Sequence, residues 1–172
     1  MDDFFHLFGM ARSFALDTAR LDRAYREVQA KVHPDRFAGG SDAERRVAMQ
    51  WAVHANEAYQ TLRDPLQRAR YLCEQAGVDL KIETDTKFDT AFLMMQLEWR
   101  ETLSDARSAR DELAIDKLDD ELTAQRATFE AEALDLIDVR HDMAAAADLI
   151  RRWMFIERMS DEVAGARAAF AD

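Results

Sequence analysis

Apolar residues recur along this chain at spacings of three and four, the period of one helical face. Asp2 to Phe8 is a short apolar segment closed by Gly9, long enough for one or two helical turns. Asp17 stands as N-cap to a stripe of Leu21, Tyr25, Val28 and Val32. Ser41 and Glu44 have the spacing of a capping box, and Val47, Trp51, Ala55, Ala58 and Leu62 form the next stripe. A short polar connection between two helices of about four turns predicts an antiparallel hairpin. Asp64-Pro65 opens a further helix, with aspartate as cap and proline at the first helical position, and that helix runs to Gly77.

Residues 78–85 are too polar and aperiodic for a core element and read as a linker. Beyond it there is no proline and only Gly165, so the back half is free to form long helices. Thr86 with Asp89 suggests a second capping box. The helix that follows carries two apolar stripes: Phe88, Phe92, Met95 and Trp99 on one side, Leu93, Met94 and Leu97 on another. A helix in a small bundle needs one apolar face. The second stripe means either that the helix sits centrally between two neighbours or that Leu93, Met94 and Leu97 stay exposed for a partner, rimmed by Glu98, Arg100 and Glu101. Leu118, Leu122, Gln125, Phe129 and Leu136 mark the next helix, which breaks near Asp138 to Asp142. Leu149, Trp153, Ile156 and Val163 mark the last, and Phe155, off that stripe, is a candidate addition to the exposed patch. The pattern is all-α, in a front unit (1–77), a linker (78–85) and a back unit (86–172).

Composition narrows the function. Of 172 residues 48% are apolar and 33% charged, as in a folded globular protein. The net charge of -11 belongs to the back half: residues 1–77 hold eleven acids and eleven bases, residues 78–172 twenty-three and twelve. Such a back half repels phosphate backbones, which argues against nucleic acid as a partner. No run reaches the length of a membrane span, and the start lacks the marks of a signal peptide, so a cytosolic chain is expected. A single cysteine, Cys73, rules out an intrachain disulfide and a cysteine metal cluster.

Catalytic groups do not converge. His33 and Asp35 stand two residues apart in a polar loop without a nucleophile or pocket. His54 falls on an apolar stripe and reads as a partly buried structural residue, while His6 and His141 have no ligand-spaced partner. Cys73 lies within a helical pattern and suits packing better than reactivity. No catalytic residue, metal or cofactor is expected. Arg23 and Arg26 project away from the first long stripe, with Arg20 and Lys31 flanking it; by themselves they are a solvated basic face.

The polar break between the first two long stripes is Val32-His33-Pro34-Asp35-Arg36. A helix, a His-Pro-Asp loop, a capped helix, then Asn56-Glu57-Ala58-Tyr59 and Arg63-Asp64-Pro65 together resemble a J-domain. The whole chain is similar to the HscB family of J-protein co-chaperones of iron–sulfur cluster assembly. The matching stretches are Phe5 with Leu7-Phe8-Gly9, His33 to Phe37, Asp64-Pro65-Leu66 with Arg68-Ala69 and Tyr71-Leu72, and Asp89 to Met94.

The resemblance implies a J-domain followed by a C-terminal three-helix bundle. It implies that His33, Pro34 and Asp35, with Arg26, Lys31 and Arg36 as docking charges, engage a specialised DnaK-type chaperone, HscA, and stimulate its ATP hydrolysis. It further implies that Leu93, Met94, Leu97, Glu98, Arg100, Glu101 and Phe155 bind the cluster scaffold IscU. Arg36 stands where lysine is common and keeps the charge; Glu27 interrupts the basic run usual on the docking helix. Absence of the cysteine-rich leader of some eukaryotic relatives points to a bacterial form. The rival reading is a J-protein serving another client, without an iron–sulfur role.

Overall fold

The computed structural model describes residues 3–32, 40–80 and 88–171, and among them every regular element is helical. The expected tripeptide, with Arg36, lies outside the described residues, as does Thr86.

Local chemistry places the front helices. Asp3 caps α1 (Phe4–Leu7), which ends at Gly9 with φ +61, a conformation that suits glycine. The Asp17 carboxylate accepts from the Arg20 amide at 3.0 Å at the head of α2 (Thr18–Val32). Ser41 and Glu44 form the complete capping box of α3 (Asp42–Arg63). Asp64 then ends α3 and caps α4 (Pro65–Gln75) through the Gln67 amide, with Pro65 first in the helix. Asp22 meets Tyr59 at 2.9 Å and Tyr25 meets Asn56 at 3.2 Å, so α2 and α3 run antiparallel. The Tyr25 and Tyr59 rings stack at 4.0 Å between them.

The expected α3 stripe is corrected at its start. Ala55, Ala58 and Leu62 are buried, but Val47 is 52% exposed and Trp51 39%. Ala48 is buried in the same turns, so the inward face at the start of α3 runs through Ala48 and Ala55, two turns apart, and Val47 and Trp51 lie to one side of it. His54 is buried as expected, its ring edge-on to Phe4 and Trp51.

Asp3 does more than cap α1. Its carboxylate also accepts from the Arg12 guanidinium at 2.6 Å and from the Tyr71 hydroxyl at 3.0 Å, while the Phe4 ring stacks on Tyr71 at 4.4 Å. Burial by itself would raise the Asp3 pKa. The Arg12 guanidinium, the Phe5 amide and the Tyr71 hydroxyl outweigh it and hold the carboxyl below the ordinary range. A depressed folded value means stability that is present above an unfolded aspartate's pKa of about 4 and is lost as pH falls through the folded value. Asp3→Asn is therefore expected to cost about 1 kcal/mol at neutral pH after solvent screening. Thermal melts of the two proteins should converge in acid; a gap that persists at low pH would contradict this.

The back half is a three-helix bundle of α5 (Thr90–Ala109), α6 (Glu112–Leu134) and α7 (Met143–Ala171). The expected capping box with Thr86 is corrected: Asp89 itself is the N-cap, accepting from the Phe92 amide. Arg110, at φ +51, reverses the chain after α5 without a glycine, and Asp111 caps α6. Arg126 pairs with Glu157, and Arg167 with Asp116 and Asp119, so α6 and α7 are antiparallel. Phe92 meets Phe155 and Arg110 covers Phe170, so α5 and α7 run parallel. The break expected near Asp138 is a π-helical turn, Asp135–Val139, with His141 at φ +53 beyond it.

Front and back share one continuous apolar cluster, because α4 packs on α7. Leu80 corrects the linker reading at one position. It is 4% exposed, and its carbonyl accepts from Arg151 at 3.1 Å.

Candidate functional site

Two surfaces carry the expected partner-binding residues. On α2, Leu21 is buried while Tyr25, Val28 and Val32 are half-buried, which turns Arg23, Arg26 and Glu27 outward. Arg26 and Lys31 are both exposed, and α2 leads directly into the segment that holds His33, Pro34, Asp35 and Arg36. Arg20 is committed elsewhere, donating to the Gly9 carbonyl at 2.9 Å.

The second surface lies on α5. Phe92, Trp99 and Leu103 point into the bundle, and the Trp99 indole N–H reaches Glu121 on α6 at 3.3 Å. Leu93, Met94 and Leu97 occupy the opposite side and are 42%, 54% and 54% exposed. This decides between the two readings of the second stripe: the helix is not sandwiched, and a contiguous apolar strip faces outward. Glu98, Arg100 and Glu101 are exposed around it.

Phe155 is corrected. It is 7% exposed, because α7 lies beside α5 and turns this ring inward onto Phe92, edge-on at 5.9 Å. The Arg100 guanidinium then covers it at 5.6 Å from the ring centre. Phe155 forms the floor beneath one rim of the patch rather than part of its exposed apolar surface. Phe92 shares that role, and its place on the inner stripe was the only signal available for it.

Among the described residues no group of three or more His, Cys, Asp or Glu is arranged to hold a metal ion. No described helix is long and apolar enough to cross a membrane. Cys73 is buried in the core and burial pushes its thiol up to about 11, with Glu74 adding to the effect, so it packs as a neutral side chain. Exposed apolar side chains within a charged rim suit protein recognition.

Residues 88–164 match the family model described as the HSCB C-terminal oligomerisation domain. The chain is 54% identical to the co-chaperone protein HscB homolog of Bordetella petrii, over 98% of each chain. Among solved structures it is similar to chaperone HscB from Vibrio cholerae, with a TM-score of 0.86 at 35% identity, covering 98% of this chain and 99% of that one. It is also similar to the human co-chaperone protein HscB, with a TM-score of 0.89 at 28% identity, over 95% of this chain and 81% of that one. An all-α J-domain and helical C-terminal bundle, together with identity above one half across nearly the full length of a relative, place this chain in the HscB family of co-chaperones.

Proposed function

We propose that this chain delivers the iron–sulfur cluster scaffold IscU to the DnaK-type chaperone HscA and stimulates its ATP hydrolysis, in support of iron–sulfur protein maturation in the bacterial cytoplasm. Residues 1–77 act as the J-domain. His33, Pro34 and Asp35 contact the chaperone, and Arg26, Lys31 and Arg36 supply charge that attracts an acidic surface and speeds encounter. Residues 86–172 hold the scaffold through Leu93, Met94 and Leu97, with Glu98, Arg100 and Glu101 setting its orientation and Phe155 supporting the patch from below. The protein forms and breaks no bond itself; its effect is exerted on another protein's active site.

The observation that carries this reading is the outward apolar strip of α5, three large side chains that the bundle leaves exposed. An apolar strip rimmed by both signs of charge fits a protein client. Its acidic rim residues, Glu98 and Glu101, disfavour a phosphate backbone. Phosphate release by the chaperone, measured with co-chaperone alone, scaffold alone and both together, tests the assignment. The pair should stimulate well beyond the sum of the separate effects. Stimulation by the co-chaperone that an IscU-type protein never enhances, with no binding between the two, would instead favour a J-protein for another client.

A further inference from the structure

We propose that Asp138 is a positioning residue: its carboxylate locks the front half of the chain to the back half, and the joint action of the α2 surface and the α5 patch depends on that lock. The inference rests on the function proposed above. Asp138 Oδ1 accepts from the Phe14 amide at 2.8 Å, and Oδ2 accepts from both the Ser13 hydroxyl and the Ala15 amide at 2.8 Å. Three donors from one short loop, some 124 positions away in the chain, converge on one charged group. Charge-assisted hydrogen bonds of this length are among the stronger ones.

Both sides of the contact are held firmly. Asp138 sits in the π-helical turn, whose wider winding is closed by the Arg140 amide on the Asp135 carbonyl at 2.8 Å; Leu136 and Ile137 anchor the turn in the core. Such turns are uncommon and cluster at functional sites. On the front side the Phe14 ring is buried under the Arg68 guanidinium, 4.9 Å from its centre, and Arg68 is itself buried and donates to the Leu62 carbonyl at 2.6 Å. The loop is thus pinned between α4 and the π-turn.

Elsewhere α4 packs on α7 through the shared apolar cluster, and the buried Arg151 guanidinium ties α7 to the Leu80 carbonyl just beyond α4, far along the chain from the Ser13–Ala15 loop. Packed helices can slide past one another in small shear steps. Three hydrogen bonds to two oxygens allow one position only. Linked sites gain most when the linkage holds both in reach of their partners at once, and halves that drift out of that arrangement give up part of the gain.

Asp138→Asn, made in the full-length chain, tests the lock, because the new amide turns an N–H₂ toward N–H donors. Ser13→Ala, which deletes one donor, provides a milder variant. Chaperone stimulation without scaffold and scaffold affinity should each stay within about twofold of wild type, while the extra stimulation given by scaffold falls about tenfold with Asn and less with Ala. Nitroxide labels at Gln60→Cys and Ala124→Cys, both exposed, should report a widened distance distribution in the Asn variant. An unchanged distribution would overturn the proposal, and so would a widened one with scaffold enhancement intact. Parallel loss of the two separate activities would make Asp138 a general stabiliser and also overturn it. If scaffold adds nothing to wild type, the proposed function has failed, and the distance distribution alone then decides whether Asp138 locks the halves.

Discussion

Replacing His33 by glutamine is expected to abolish stimulation of the DnaK-type chaperone and to leave scaffold binding intact. The two proposed activities draw on different parts of the chain. His33 belongs to the segment between the end of α2 at Val32 and the start of α3 at Asp42, whereas the α5 patch is built on the three-helix bundle. A change in that segment leaves the residues of the α5 strip themselves unaltered. Loss of a central contact in a protein interface typically costs about 2–4 kcal/mol, which corresponds to a loss of about 30-fold or more in apparent affinity. Phosphate release over a titration of co-chaperone reads this directly, and an unchanged thermal midpoint shows that the fold has survived. If the glutamine variant reached half-maximal stimulation at the wild-type concentration and the same plateau, the tripeptide would have no part in the coupling.

Changing Leu93, Met94 and Leu97 together to alanine should give the reverse result. Each side chain is roughly half exposed, so about half of its apolar area is available for a partner to cover. A fully buried side chain of this kind is worth about 1.5–3 kcal/mol, so three half-available ones amount to about 2–4 kcal/mol. Scaffold affinity, measured by calorimetry, should weaken by about 30-fold to several hundred-fold. Chaperone stimulation without scaffold should be unaffected. Stability should barely move, because the three residues contribute little to the core and alanine is a good helix former. Scaffold binding at wild-type affinity would remove the patch from the interface. Phe155 is a poorer probe: truncating a ring packed between Phe92 and Arg100 opens a cavity, so lost binding would be confounded with lost packing.

The amphipathic stripes were legible because a helix repeats every 3.6 residues and burial follows that repeat. Leu149, Trp153, Ile156 and Val163 are all within 1% of complete burial, as their spacing predicts. Caps at Asp17, Ser41 and Asp64 were legible for a similar reason, since a side chain bonding an amide three residues away is local chemistry; the Asp3 cap was not read. The misreadings arose where periodicity has no information about what lies opposite. Val47 and Trp51 continue the apolar pattern of α3, but the buried face there runs through Ala48, a small residue the stripe did not single out. Phe155 departs from its own stripe yet is buried, because α5 approaches α7 from that side. The reversal at Arg110 carries no glycine or proline and left no mark in the pattern.

Short-range geometry, and which side chains avoid water, already fixed the all-α class, the starts of α2, α3 and α4, most of the inward stripes and the second apolar stripe on α5. Tertiary structure decided that this second stripe is exposed, that Phe155 lies beneath its rim, and that Asp138 holds a loop from the other end of the chain. Those outcomes depend on pairs of residues far apart in the chain, whose meeting is set by how whole helices pack, and no local spacing encodes it.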